Sequence, residues 1–189
     1  MLALGYGEFR LDGVARMRAR PIEDLLAALR QFGIDARSEL GTGCPPVVIR
    51  ANGIAGGAAH VAGNVSSQFL SGLLLAAPYA ASDVELIVDG ELVSKPYVEM
   101  TLAAMRTFGA EADAAGDLSR IHVCAGKHYL GQRYEIEPDA SAASYFFAAA
   151  AVLKNPWASR GFVDDLKPEI QEIAPQLGEM LTAMIVGMA

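Results

Sequence analysis

The stretch Gly63-Asn64-Val65-Ser66-Ser67-Gln68-Phe69-Leu70, continuing as Ser71-Gly72-Leu73-Leu74-Leu75-Ala76-Ala77-Pro78, organises the chain. A glycine and an asparagine lead into two serines, and an apolar run follows. That is the pattern of a core helix that opens at the serines. The first turn of a helix leaves backbone N–H groups without intrahelical partners, and the helix dipole adds a partial positive charge there. Serine hydroxyls either cap those donors or turn outward with them toward an anion. Two readings stand for this stretch: a serine-capped core helix, and a phosphate-binding tip.

The rest of the composition narrows the classes. A length of 189 residues suits one domain or one lobe of a larger protein. With 52% of residues hydrophobic, a sizeable core is expected and disorder is not. The net charge of −7 argues against non-specific nucleic-acid binding and against an anionic membrane surface. It leaves room for a small anion in one local basic pocket. Cys44 and Cys124 lack metal-ligand spacing and cannot build a disulfide framework, so a reducing cytoplasm is the expected setting. Met1 to Arg18 holds no signal-like apolar run, and Met180 to Ala189 is too short to span a bilayer. No metal and no cofactor are expected.

On the N-terminal side of the serines, Glu8 to Val14 alternates like a strand. Arg16, Arg18 and Arg20 form a basic cluster before Pro21, which suits the first turn of a helix. Ile22, Leu25, Leu26, Leu29 and Phe32 carry that helix, and Gly33 stops it. Ile34 to Leu40 and Val47 to Arg50 read as strands around a turn at 41–46. Gly57 to Gly63 is a third strand. On the C-terminal side, Val84 to Val88 reads as a strand. Ser94-Lys95-Pro96-Tyr97 opens a second helix that ends at Gly109. Ala110 to Ala114 and Arg120 to Cys124 form a hairpin, and Arg133 to Glu137 is a strand. Ala142 to Leu153 is a further apolar helix, and Leu166 to Met188 reads as largely helical.

These elements repeat. Arg20-Pro21-Ile22 with Phe32-Gly33 returns as Lys95-Pro96-Tyr97 with Phe108-Gly109, and Ser66-Ser67-Gln68-Phe69 returns as Ala143-Ser144-Tyr145-Phe146. The period is about seventy-five residues. The unit is β-α-β-α-β-β, with one complete copy from about Gly57 to Gly126, a half unit α-β-β before it and β-α after it. The fold class is therefore α/β, built from repeated units and cut out of phase with its own repeat. A cut repeat leaves apolar edges, so self-association is expected.

Gly63 to Leu70, Leu92-Val93-Ser94-Lys95-Pro96-Tyr97 and Asp139-Ala140-Ser141-Ala142-Ala143-Ser144-Tyr145-Phe146 together resemble three segments of EPSP synthase (3-phosphoshikimate 1-carboxyvinyltransferase), in that family's order and spacing. Arg16 to Ile22 resembles its Arg-Pro-Ile helix start. The resemblance covers 7–153, and 154–189 reads as a divergent, mostly helical tail. It implies a lobe of three β-α-β-α-β-β units with helices packed inside. It also implies enolpyruvyl transfer from phosphoenolpyruvate to the 5-hydroxyl of shikimate 3-phosphate, in aromatic amino-acid biosynthesis. By the same resemblance Ser66, Ser67 and Ser94 hold the substrate phosphate, Gln68 contacts the ring, and Tyr97 sits beside the phosphate or ring. Lys95 and Arg20 are further candidates for offsetting its charge. The family is the target of glyphosate, which competes with phosphoenolpyruvate.

The departures bear on activity. The family's catalytic lysine, its glycine-rich phosphoenolpyruvate loop, its aspartate base and several further basic groups have no counterpart in this sequence, so no catalytic residue is assigned. The alternative to enolpyruvyl transfer is a folded, non-catalytic fragment that keeps half of the shikimate 3-phosphate site. The tail is open to three readings: a truncated frame, a fusion or an adapted cap. His60, His122 and His128 are scattered, which favours framework roles over ligation. Gly41-Thr42-Gly43 lacks the strand–helix context of a dinucleotide motif and reads as a turn.

Overall fold

The computed structural model describes residues 1–64 and 66–136. The chain divides into two units, Met1–Gln132 and Arg133–Ala189. In the second unit residues 133–136 are exposed and belong to no strand, contrary to the expectation for Arg133 to Glu137. Tyr134 and Ile136 alternate with Arg133 and Glu135 as a strand would, but both stand exposed, at 49% and 84%. The helix expected over Ala142 to Leu153, the tail helices and the expected boundary at 153/154 lie outside the described residues.

The first unit holds two sheets. Strand β1 (Tyr6–Leu11) pairs antiparallel with β3 (Val47–Asn52), which pairs antiparallel with β2 (Asp35–Ser38), in the order β1-β3-β2. The second sheet has the order β4-β5-β7-β6, from β4 (Gly57–Ala62), β5 (Val84–Asp89), β6 (Ala112–Ala114) and β7 (Arg120–Val123). Here β4 and β5 are parallel, and the other pairings are antiparallel. Parallel neighbours need a crossover. Helix α3 (Ser67–Ala76) supplies it, and α4 (Lys95–Thr107) carries the chain from β5 toward β6.

The first sheet is served by α2 (Glu23–Gln31), whose Leu26, Ala28 and Leu29 are buried. Pro21 stands two residues before this helix rather than inside its first turn. The Ile22 amide donates to the Gly43 carbonyl at 2.8 Å, which holds the approach extended. Before it lies a helix that was not expected, α1 (Ala15–Arg18), one turn long with no buried residue. With no apolar face, it carries no periodic signal.

The repeat is physical. The guanidinium of Arg30 donates to the Ala36 carbonyl at 2.8 Å, and that of Arg106, 76 positions on, donates to the Ala112 carbonyl at 2.9 Å. Gly33 and Gly109 close the two helices with φ of +80° and +92°, a conformation that favours glycine. Phe9 pairs with Ile49 as Val84 pairs with Val123. The N-terminal half unit is therefore β-α-β-β, one strand longer than the sequence indicated.

Apolar side chains fill the space between sheets and helices, with Leu74, Leu86, Val98, Met105 and Ile121 fully enclosed. Among the described residues no polar or charged side chain is buried. At the open edge of β4, the Gln31 side chain accepts from the His60 amide at 2.8 Å and donates to the His60 carbonyl at 3.1 Å.

Candidate functional site

Two helices start at one edge of the second sheet. Because β4 and β5 run parallel, the turns that leave them emerge on the same side, one into α3 and one into α4. The turns are tied together by backbone. The Gly63 amide donates to the Asp89 carbonyl at 2.9 Å, and the Val93 amide donates to the Gly63 carbonyl at 3.0 Å. A Cβ on Gly63 would sit 2.9 Å from both the Glu91 carbonyl oxygen and Val88 Cγ1, so only glycine fits. Gly63 read from sequence only as a lead into the helix; its role as the junction of two loops needs the β4–β5 pairing, which no local pattern gives.

Further along, the Ser71 and Thr101 hydroxyls lie 2.8 Å apart, and Thr101 donates to the Tyr97 carbonyl at 2.8 Å. Ser71 is four residues into α3 and Thr101 six residues into α4. The two helix starts thus lie about 6 and 9 Å beyond that bridge along their axes.

The donors at these starts are lightly used. Ser66 is the N-cap of α3, with its hydroxyl accepting from the Gln68 amide at 3.3 Å. Ser67 opens the helix. Ser94 is the N-cap of α4, yet its hydroxyl makes no capping bond and its backbone is left-handed, φ 62° and ψ 47°. That conformation costs a non-glycine residue about 1 kcal/mol. Among the described residues neither the Ser67 nor the Ser94 hydroxyl has a partner. Neither helix has an acidic residue in its first turn. Ser66 and Ser67 are half-buried, while Gln68, Ser94, Lys95 and Tyr97 are exposed. Partial positive charge, free hydroxyls and amides at one sheet edge suit a doubly charged anion.

No described contact joins Arg20 to the two helix starts. The basic cluster is already divided, since Arg18 pairs with Asp12 at 2.7 Å. That hydrogen bond, with one from the Gly13 amide, pulls the Asp12 carboxyl down to about 2. His60 pairs with Asp89 at 2.9 Å, His122 lies 3.5 Å from Asp83, and His128 stacks on Tyr79 with ring centroids 4.5 Å apart. Cys44 and Cys124 are free thiols, and burial with nearby carboxylates pushes the Cys124 thiol up, away from nucleophilic use. Among the described residues no cluster could hold a metal ion, and no helix is long and apolar enough to cross a membrane.

Comparison with known proteins agrees with this architecture. The family model described as EPSP synthase (3-phosphoshikimate 1-carboxyvinyltransferase) matches residues 1–160. A chloroplastic 3-phosphoshikimate 1-carboxyvinyltransferase of Brassica napus is 48% identical over 151 residues, 78% of this chain and 29% of the relative. The enzyme of that name from Nostoc sp. is 48% identical over 152 residues, 80% of this chain and 36% of the relative. That of Marinomonas sp. is 42% identical over 186 residues, 96% of this chain and 43% of the relative. The chain thus spans well under half the length of these relatives. The solved EPSP synthase from Acinetobacter baumannii superposes with a TM-score of 0.63 at 25% identity, over 80% of this chain and 33% of that one. Two α/β sheets with a repeated β-α-β-α-β-β unit are the EPSP synthase-like fold, and the chain belongs to the EPSP synthase (3-phosphoshikimate 1-carboxyvinyltransferase) family.

Proposed function

We propose that this chain carries the shikimate 3-phosphate-binding share of an enolpyruvyl transferase. One observation carries the reading: α3 and α4 start side by side, joined through Gly63, with no acid in either first turn and with the Ser67 and Ser94 hydroxyls unpartnered among the described residues. Ser66, Ser67 and Ser94 hold the phosphate with hydroxyls and helix-start amides. Gln68 meets the ring, and Tyr97 flanks it. Lys95, exposed beside Ser94, adds positive charge near the ester. Binding of this kind orients the 5-hydroxyl toward the enol carbon of phosphoenolpyruvate. The carbon–oxygen bond forms there, and inorganic phosphate then leaves.

Proton transfer and phosphoenolpyruvate binding have no residues assigned here, so turnover requires groups from more chain than these 189 residues. A second copy would bring only the same residues, so self-association is proposed apart from turnover, in keeping with exposed apolar residues such as Val14 and Met100. Light scattering at high concentration tests that, and a mass that stays at 19.9 kDa contradicts it. Two free thiols suit a reducing, cytoplasmic setting. The second reading is a non-catalytic folded fragment that keeps only half of the shikimate 3-phosphate site.

Calorimetric titration with shikimate 3-phosphate tests the site, with saturable binding expected and its loss in Ser66→Ala/Ser67→Ala. No heat at millimolar ligand ends the half-site reading. Phosphate release from both substrates separates the two functional readings, because the fragment gives none above the double-alanine control.

A further inference from the structure

The hydrogen bonds that link α3 to α4 have a fixed direction. The Thr101 hydroxyl holds a single proton and gives it to the Tyr97 carbonyl, which can only accept. The Ser71 hydroxyl is therefore the donor in the 2.8 Å bond between the two side chains. A serine inside a helix commonly returns its proton to a carbonyl of its own preceding turn. Here the proton crosses to the neighbouring helix instead, and both side chains are half-buried. The position equivalent to Thr101 in α2, 76 residues earlier, is Leu25. A helix of this unit therefore forms without a hydroxyl at that place.

Ser67 stands four positions before Ser71, and Tyr97 stands four positions before Thr101. Residues four apart lie one above the other on a helix face. The Ser71–Thr101–Tyr97 relay thus sits one turn, about 6 Å, beneath Ser67 on α3 and runs up to the backbone of Tyr97 on α4. Each helix start is held between two ties, the backbone bonds through Gly63 ahead of it and this relay behind it. The buried side chains of α3 and α4, Leu70, Leu73, Val98 and Leu102 among them, hold the helices in the core. Apolar burial has no direction, so it does not set how far one helix slides along the other, whereas hydrogen bonds do. We infer that Ser71 and Thr101 are positioning residues of the anion site: their relay fixes the spacing between Ser67 and Tyr97, and phosphate affinity depends on that spacing. The inference rests on the half-site reading given above and adds to it two residues that touch no ligand.

The test uses the full chain in two arms. The first needs no ligand and reads amide exchange across the bridge. Thr101→Val is expected to speed exchange at Leu70 and Ser71 at least threefold, and Ser71→Ala to do the same at Thr101 and Leu102, with Leu26 and Leu29 of α2 unchanged. The second arm is calorimetry with shikimate 3-phosphate. Thr101→Val is expected to weaken binding about tenfold, and Thr101→Ser, which keeps the hydroxyl, less than twofold. In a Ser67→Ala background the further loss from Thr101→Val is expected to stay under threefold, because the relay acts largely through Ser67. Unchanged exchange across the bridge in both variants overturns the inference. So does a loss of affinity that is the same with and without the Ser67 hydroxyl, since that marks general loosening of the fold. An unaltered chain that gives no heat at millimolar ligand sinks the half-site reading instead, and the exchange arm still decides whether the relay holds the two helices in register.

Discussion

The starts of α2 and α4 occupy the same place in two copies of one unit, and they are built for opposite ends. The first turn of α2 carries Glu23 and Asp24, which satisfy its dipole internally, and Glu23 also pairs with Arg30 at 2.6 Å. The first turn of α4 carries no acid, and its N-cap Ser94 adopts a left-handed backbone without capping the helix. One copy uses its helix start for stability, and the other leaves it open at some cost. Strain and unspent donors at one spot are what a ligand site needs and what a packing element avoids.

The largest expected effect comes from making α3 resemble α2. Ser67→Asp places a carboxylate in the first turn. Shikimate 3-phosphate binding is expected to fall more than about a hundredfold by calorimetry, from lost hydrogen bonds and added repulsion. Chemical denaturation of the same variant should show stability unchanged or higher by about 0.5 kcal/mol. Tight binding by Ser67→Asp would erase the contrast. Next is the junction. Gly63→Ala is expected to cost about 1–3 kcal/mol of unfolding free energy, because the new methyl meets backbone at Glu91 and cannot be accommodated by a side-chain shift. A neutral result would mean the two loops move apart freely.

Ser94→Gly then sharpens the comparison by separating strain from binding. Removing the left-handed penalty should raise stability by about 1 kcal/mol, while loss of the hydroxyl weakens phosphate binding about tenfold. The smallest effect lies at the far end of α3, where the Tyr129 hydroxyl donates to the Leu75 carbonyl at 3.1 Å. Burial, with a smaller contribution from Tyr79, pushes this phenol up to about 12 from 10.0. The neutral form is the one the fold favours. Its contribution is therefore complete below pH 10 and is lost as the pH rises toward 12. Denaturation midpoints should fall over that window, and Tyr129→Phe should flatten this share of the decline.

Much of this was legible in residues alone. Apolar spacing at Leu26 and Leu29, and at Val98, Leu102 and Met105, marks α2 and α4 because burial enforces it. Gly33 and Gly109 mark their ends because the backbone there turns left-handed. Ser66 was readable as a cap, since capping is local. What stayed hidden depends on distant chain. β1 belongs to the repeat through its pairing with β3, not through its own pattern. Gly63 matters through Glu91 and Val88, and the unused hydroxyl of Ser94 follows from a backbone angle no composition reveals.

The Gln31 side chain turns one amide into a stand-in for a neighbouring strand. By occupying both main-chain groups of His60, it denies that stretch of β4 to any passing peptide. A single residue of α2 thereby shields the middle of the β4 edge, Gly57–Ala62, from pairing with another strand.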